Sequence, residues 1–126
     1  MLLDFTYYNP TKIHFGKNSL DMLKNELENY GETVLLTYGR NSIKKIGLYD
    51  NLINILNESG KKVVELPGVM SNPTYNKVLE GAKLVRDNNV DFILAVGGGS
   101  VIDCAKAISV PAYCKEDAFK KYWINF

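Results

Sequence analysis

The chain has 126 residues, of which 46% are hydrophobic and 23% charged, and its formal net charge is +1. This composition is ordinary for one globular domain with its own core. The near-neutral charge gives no electrostatic basis for binding nucleic acid or an anionic membrane, so we expect neither partner. The sequence has no apolar run of about eighteen residues and no signal-peptide pattern at its start, so we expect a cytoplasmic protein.

Two β-prone stretches open the chain, at 5–8 and 12–15, with Asn9-Pro10 between them as a turn signal. They predict two short N-terminal strands or a hairpin-like entry. Residues 2–8 then form an edge strand with unpaired backbone groups. We expect a homo-oligomer, formed either through this strand or through a face that a further domain would cover.

The rest of the chain alternates helical and strand patterns. Apolar spacing predicts a helix over 18–30, with Asn18 as cap, Asp21 three residues later and Gly31 at the end. A second helix is predicted to begin at Asn41 or Ser42 and to end at Gly60. Thr74 caps a third. The predicted strands are 33–38, 62–66 and 91–96. This order predicts an α/β fold, a Rossmann-like parallel sheet with helices on both faces.

The most informative segment is 91–103, in which an apolar strand leads into Gly97-Gly98-Gly99-Ser100 and a helix start. Three glycines remove every Cβ from the turn, so an anion can approach the backbone N–H groups at the positive end of the helix. The segment therefore predicts a diphosphate cradle. A plain strand-to-helix turn is the alternative, because the spacing matches neither the dinucleotide fingerprint nor a P-loop.

Ser100 and Asp103 also have two interpretations. Their spacing is that of a capping box, with Ser100 as the cap and Asp103 at the third helical position. Asp103 facing a cofactor is the other interpretation.

The carboxyl ends of parallel strands meet at one edge of a sheet, where ligands bind. Three predicted strand exits therefore converge there: 39–42, 68–73 and 97–100.

Cys104 and Cys114 are too few for a disulfide framework or a zinc site. Cys104 follows the glycine turn, where a helix start can lower a thiol pKa, but a small packed side chain is the favoured interpretation. His14, the one histidine, is interpreted as a strand residue and not as a metal ligand.

Several motifs in order resemble one known family. The segment 97–108 resembles the signature of the iron-dependent (group III) alcohol dehydrogenases, and 8–16 resembles their N-terminal segment. The segment 36–47 is similar to the butanol dehydrogenase branch, and Asn72-Pro73 also fits.

The resemblance implies that 1–126 is the N-terminal dinucleotide-binding domain of an NAD(P)-dependent dehydrogenase that interconverts small alcohols and aldehydes. It implies that the turn Gly97, Gly98, Gly99 and Ser100 holds the cofactor diphosphate. Asp103 would lie near the nicotinamide, and Asn72 would line the cleft. The N-terminal strand would take part in dimer contacts.

The turn after the first predicted strand favours NADP(H) over NAD(H). No Asp or Glu occurs from Thr33 to Tyr49, whereas Arg40, Asn41 and Ser42 follow Gly39 and offer donors to a 2′-phosphate. A solvated arginine beside an ordinary helix cap is the alternative.

The family's metal, Fe²⁺ or Zn²⁺, is held by an Asp and three His of a C-terminal helical domain. This sequence has no such set, so we expect it to lack that domain, to bind no metal and to be inactive alone. Residues 109–126, with an aromatic end, are expected to start the connection to it. The alternatives are a free-standing nucleotide-binding or regulatory module, and a domain of a related glycerol-1-phosphate dehydrogenase or dehydroquinate synthase.

Overall fold

A computed structural model describes residues 4–114, apart from the side chain of Tyr113. Its centre is a parallel sheet of three strands in the order β2-β1-β3. The strands are β1 (Thr33–Tyr38), β2 (Lys62–Leu66) and β3 (Phe92–Val96). β1 lies in the middle, with Leu36 opposite both Glu65 and Leu94. The predicted α/β class, the parallel sheet and all three predicted strands are confirmed, with β3 beginning one residue later than predicted.

Within residues 4–114, five α-helices and two 3-10 turns surround the sheet. The helices are α1 (Met22–Leu27), α2 (Ser42–Lys45), α3 (Leu48–Glu58), α4 (Tyr75–Asp87) and α5 (Gly99–Ser109). The 3-10 turns are Ser19–Asp21 and Pro111–Tyr113. None of the described helices has the length and apolarity that a membrane span requires.

The two faces of the sheet carry separate apolar clusters because successive strand residues point to opposite sides. On one face, α4 and α5 pack on Leu35 and Leu66, and Ile108 is fully buried there. On the other face, α1 and α3 cover Val34, while α2 and α3 cover Leu36 and Tyr38. Helices on both faces are therefore confirmed.

The prediction of N-terminal strands at 5–8 and 12–15 is wrong, because the structure has no strand in 4–32. Those backbone groups have no neighbouring strand among the described residues, and the apolar side chains are solvated; Phe15, for example, is 99% exposed. The predicted self-association through residues 2–8 is not tested by this chain alone, and residues 1–3 lie outside the described part.

The first two helices differ from their predicted bounds. The helix predicted over 18–30 is a 3-10 turn followed by α1, and the side chain of Asn18 makes no capping hydrogen bond. The second predicted helix is divided into α2 and α3 at Gly47, which has a φ of 77°. A left-handed residue interrupts the helical hydrogen-bond pattern, and glycine adopts it without steric cost.

Two predicted helix ends are confirmed. The Thr74 side chain accepts a hydrogen bond of 3.2 Å from the backbone N–H of Lys77 at the start of α4. Gly60, with a φ of 70°, follows the end of α3, and Lys61 N–H closes the turn on Leu56 O at 2.9 Å. The aromatic stretch 115–126 lies outside the described residues, so the expectation of a connection there stays a prediction.

Candidate functional site

The three strand exits meet at one rim of the sheet, as predicted. The loop after β2 is tied to the end of β1, since Gly68 N–H donates to Gly39 O at 2.8 Å and Val69 N–H donates to Tyr38 O at 3.1 Å. The same loop is tied to α5, since Ser100 Oγ donates to Ser71 O at 2.8 Å. Two short connections therefore hold the glycine turn, the Asn72 loop and the Arg40 turn side by side.

The three glycines of the turn after β3 are not equivalent. Gly97 has a φ of 153°, and a Cβ added to it would lie 2.8 Å from Cγ2 of Val101. The fold therefore requires glycine at position 97. Gly98 has an ordinary extended backbone, with a φ of −83°. A Cβ at Gly98 or Gly99 would meet no atom of the described chain within 4 Å, so neither local conformation nor packing explains the absence of side chains there.

The backbone donors of this turn are available to a ligand. The helix α5 begins at Gly99, and Gly98 O accepts from the N–H groups of Val101 and Ile102. Within residues 4–114, the N–H groups of Gly98, Gly99 and Ser100 have no hydrogen-bond acceptor. Open space above unpaired donors at a helix start suits a phosphate group, so the residues present fit the diphosphate of a dinucleotide.

The predicted capping box at this helix is wrong. The cap residue is Gly98, and the Ser100 hydroxyl points to the neighbouring loop instead of the helix backbone. Asp103 is then the fifth helical residue, outside the first turn, and it is exposed. The helix begins two residues earlier than the Ser-x-x-Asp spacing predicts, at Gly99 instead of Val101.

The turn after β1 presents three polar side chains to solvent. Arg40, Asn41 and Ser42 are all exposed, and none of their side chains makes a hydrogen bond or ion pair with a described residue. Asn41 occupies the cap position of α2, but only its backbone carbonyl is used, by the N–H groups of Lys44 and Lys45. The predicted cap position is thus confirmed without a side-chain cap.

Asn72 lies next to the tethered Ser71 and is also exposed. The structure therefore brings all of the predicted site residues to one rim except Asp103, which lies farther along α5 on its solvent side.

One acidic residue near this rim was missed by the sequence analysis. Tyr38, the last residue of β1, donates a hydrogen bond of 2.9 Å from its hydroxyl to Glu65 Oε1 on β2. Burial, and then the bond to Glu65, raise the pKa of Tyr38 far above its ordinary value of 10.0. No Asp or Glu occurs within 33–49, but the parallel pairing of 33–38 with 62–66 places Glu65 on the strand beside this turn.

Cys104 is packed in the core, as favoured from the sequence. It is 1% exposed, and burial raises the pKa of its thiol although Lys77 opposes the shift. The position of Cys104 on α5 therefore does not activate it.

The described residues do not fit the metal that the family resemblance implies. No group of three or more His, Cys, Asp or Glu side chains in residues 4–114 is arranged to hold a metal ion. His14 lies with its Nε2 atom 3.0 Å from Glu26 Oε1, which also accepts from Lys12 Nζ at 2.9 Å. A lysine on the same carboxylate oxygen is a competitor for a cation, so this cluster is an ion-pair network.

A cleft of about 970 Å³ lies along the outer edge of β3. Leu94 and Val96 line one side, the segment 10–14 lies across it, and Gly97 lies at its end. The cleft therefore leads up to the glycine turn but is not the rim where the three loops meet.

Comparison with known proteins identifies the family. The family model of iron-containing alcohol dehydrogenases matches residues 10–124. The chain is 53% identical over 116 residues to a probable NADH-dependent butanol dehydrogenase 2 of Bacillus subtilis, covering 92% of this chain and 30% of that protein. It is 40% identical over 114 residues to the NADPH-dependent aldehyde reductase YqhD of Escherichia coli, covering 90% and 29%.

A solved structure agrees with this assignment. The NADH-dependent butanol dehydrogenase A of Thermotoga maritima superposes with a TM-score of 0.88 at 38% identity, over 97% of this chain and 32% of that one. The chain thus spans about 30% of the length of the curated relatives that it matches. On these matches the chain belongs to the iron-containing alcohol dehydrogenase family.

Proposed function

We propose that this chain is the cofactor-binding part of an NAD(P)-dependent alcohol dehydrogenase that interconverts small alcohols and aldehydes. The observation that carries the proposal is the open, side-chain-free space over Gly98 and Gly99 above unpaired N–H groups. The family relatives are named for NADH- or NADPH-dependent reactions of butanol or aldehydes, which supports a nicotinamide cofactor here.

Each part of the rim has a role in this proposal. The N–H groups of Gly98, Gly99 and Ser100 bind the diphosphate, and the start of α5 adds its positive dipole. Ser100 holds the Asn72 loop against the cradle through Ser71. The bound nicotinamide supplies hydride transfer, while these residues bind and orient the dinucleotide. No step through a metal is assigned to residues 4–114, since they contain no ligand set.

The proposal includes a preference for NADP(H). Arg40 is exposed on the turn after β1, and its guanidinium has no partner within residues 4–114. A free guanidinium suits a 2′-phosphate because its N–H groups match the phosphate oxygens. The relatives leave the choice open, since two that are 53% and 47% identical to this chain are named for NADH and one that is 40% identical is named for NADPH.

The test is a pair of fluorescence titrations of this chain with NADPH and NADH, repeated on Arg40→Asp. We expect NADPH to bind more tightly, and the preference to be lost or inverted in Arg40→Asp. Lys45→Asp makes the same charge change on the exposed surface of α2 and should leave the preference in place. An equal loss of NADPH binding in Arg40→Asp and Lys45→Asp would mean that only the net charge matters. That result would contradict a specific contact between Arg40 and the phosphate.

A free-standing nucleotide-binding module would give the same titration result. The part of a dehydrogenase and the free-standing module differ in catalysis. The first supports aldehyde reduction once it is joined to a catalytic domain, whereas the second does not. Joining residues 1–126 to the remaining two thirds of the Bacillus relative and assaying NADPH-dependent butanal reduction separates them. The same chimaera addresses self-association, which we also propose by resemblance, through its mass in light scattering.

A further inference from the structure

The carboxylate of Glu65 is fixed beside the turn that we assign to the cofactor's 2′ position. Glu65 is the last but one residue of β2 and lies opposite Leu36. Its Oε1 atom accepts the 2.9 Å hydrogen bond from the hydroxyl of Tyr38, which immediately precedes Gly39. Tyr38 is only 3% exposed, whereas Glu65 is exposed. A buried ring therefore restrains a charged group that solvent would otherwise leave mobile.

The groups around this pair belong to the helices that follow the turn. The ring of Tyr49 on α3 packs edge-on against the Tyr38 ring, with centroids 5.8 Å apart. Lys44 on α2 places its Nζ atom 4.8 Å from the centroid of the Tyr49 ring and 5.7 Å from that of Tyr38. Hydrogen bonding with Glu65, and then burial, also raise the pKa of Tyr49. The cluster of Tyr38, Lys44, Tyr49 and Glu65 thus joins both ends of the turn.

Charge at this position distinguishes the two cofactors. A carboxylate near the adenosine ribose accepts from a 2′-hydroxyl and repels a 2′-phosphate, whereas an arginine attracts the phosphate. The rim contains both kinds of group, Glu65 and Arg40, but only the carboxylate is bound to another side chain.

We propose that Tyr38 is a positioning residue for cofactor choice. Its hydroxyl holds the Glu65 carboxylate against the sheet, so that Arg40 is the charged group that meets the 2′ position. The inference rests on the proposed function, because it concerns the same cofactor site.

The central variant is Tyr38→Phe, which keeps the ring and removes the hydroxyl. The Glu65 carboxylate is then left with the hydrogen bond of Tyr49 alone, and its greater freedom should lower the ratio of NADPH to NADH affinity by about two- to fivefold, as expected for partly exposed charges. Glu65→Gln should leave the ratio within about twofold of the unmodified chain, because the charge is already held away. The double variant, Tyr38→Phe with Glu65→Gln, should have the same ratio of NADPH to NADH affinity as Glu65→Gln alone. Tyr30→Phe is the control, because it removes the hydroxyl of a tyrosine whose ring packs on Phe92 of β3. It should leave the affinity ratio unchanged.

A tyrosine titration followed by ultraviolet absorbance gives an independent readout. In the unmodified chain Tyr38 should ionise only at strongly alkaline pH, because burial and the bond to Glu65 raise its pKa. That tyrosine should be absent in Tyr38→Phe and should ionise at lower pH in Glu65→Gln.

The outcomes separate this inference from the proposed function. If the unmodified chain binds neither cofactor, the proposed function fails and this inference fails with it. If binding persists and Tyr38→Phe leaves the ratio unchanged, or the double variant remains as low as Tyr38→Phe, only the inference is overturned. If Tyr38→Phe does not fold, Glu65→Gln decides alone: a rise of the ratio beyond about twofold would mean that the carboxylate already opposes the phosphate, and would overturn it.

Discussion

Ser100 Oγ donates a 2.8 Å hydrogen bond to the backbone carbonyl of Ser71, and this bond joins the glycine turn to the loop that carries Asn72. The two residues are 29 positions apart in sequence and belong to different strand connections. The Ser100 side chain, which the sequence pattern predicts to cap its own helix, therefore joins two distant segments of the chain instead.

Replacing Ser100 by Ala should loosen the loop over 68–73. We expect a loss of about 0.5–1.5 kcal/mol in the free energy of unfolding, the usual contribution of one hydrogen bond, together with weaker cofactor binding. Urea unfolding and the NADPH titration measure the two effects. Ser109→Ala is the matched control, since Ser109 Oγ bonds only to Lys106 O within the same helix. An equal loss of cofactor affinity in both variants would contradict a tether.

Alanine should have opposite consequences at two adjacent glycines. Gly97→Ala forces a left-handed φ of 153° on a residue with a Cβ and creates a 2.8 Å contact with Val101, so we expect destabilisation by about 1–3 kcal/mol. Gly98→Ala meets no atom and should stay within about 0.5 kcal/mol of the unmodified chain. Thermal unfolding compares them, and similar losses at both positions would show that this description of the turn is wrong.

Glu26 should hold the N-terminal segment against α1. Hydrogen bonds from Lys12 and then His14 lower the pKa of Glu26 below its ordinary 4.5. A lowered pKa means that the attachment is complete above pH 4.5 and is lost as the pH falls through the lowered value. Glu26→Gln should therefore speed tryptic cleavage after Lys12 at neutral pH by about two- to fivefold.

Glu28→Gln is the control for that experiment, because Glu28 is exposed and has no ion pair with a described residue. Unchanged cleavage in Glu26→Gln would show that the segment is held by other contacts.

The two cysteines should differ strongly in reactivity. Cys104 is buried and its thiol pKa is raised above 9.0, so it has little thiolate at pH 8, whereas Cys114 is half-buried. We expect a thiol reagent to modify Cys114 first and Cys104 only after urea unfolding. Mass spectrometry of digests identifies the modified residue, and early modification of Cys104 would contradict its packing in the core.

Much of the fold is predictable because it depends on local patterns. The short apolar runs at 33–38 and 91–96 lie between turn residues, which favours strands, and Thr74 and Gly60 are strong end signals for helices. The break at Gly47 was not predicted, since apolar residues continue in helical spacing from Ile43 to Leu56 and mask it.

The features that the sequence patterns do not predict depend on contacts between segments that are distant in the chain. The stretches 5–8 and 12–15 have strand propensity but no neighbouring strand among the described residues, and propensity alone does not form a strand. The bonds of Ser100 to Ser71 and of Tyr38 to Glu65 join residues 29 and 27 positions apart. The first pair depends on how the loop after β2 lies against α5, and the second depends on the pairing of β1 with β2, so no local motif reveals either bond.

A titration of Gly98→Val with NADPH tests most directly whether the glycine turn after β3 binds the cofactor diphosphate. Valine suits the extended backbone at this position, and its Cβ meets no described atom within 4 Å, yet its side chain occupies the space above the N–H groups. Lys106→Val places the same side chain on an exposed position of α5, eight residues along the helix. We expect binding to be lost in Gly98→Val and retained in Lys106→Val, with both variants folded. Undiminished NADPH binding by a folded Gly98→Val would contradict the cradle.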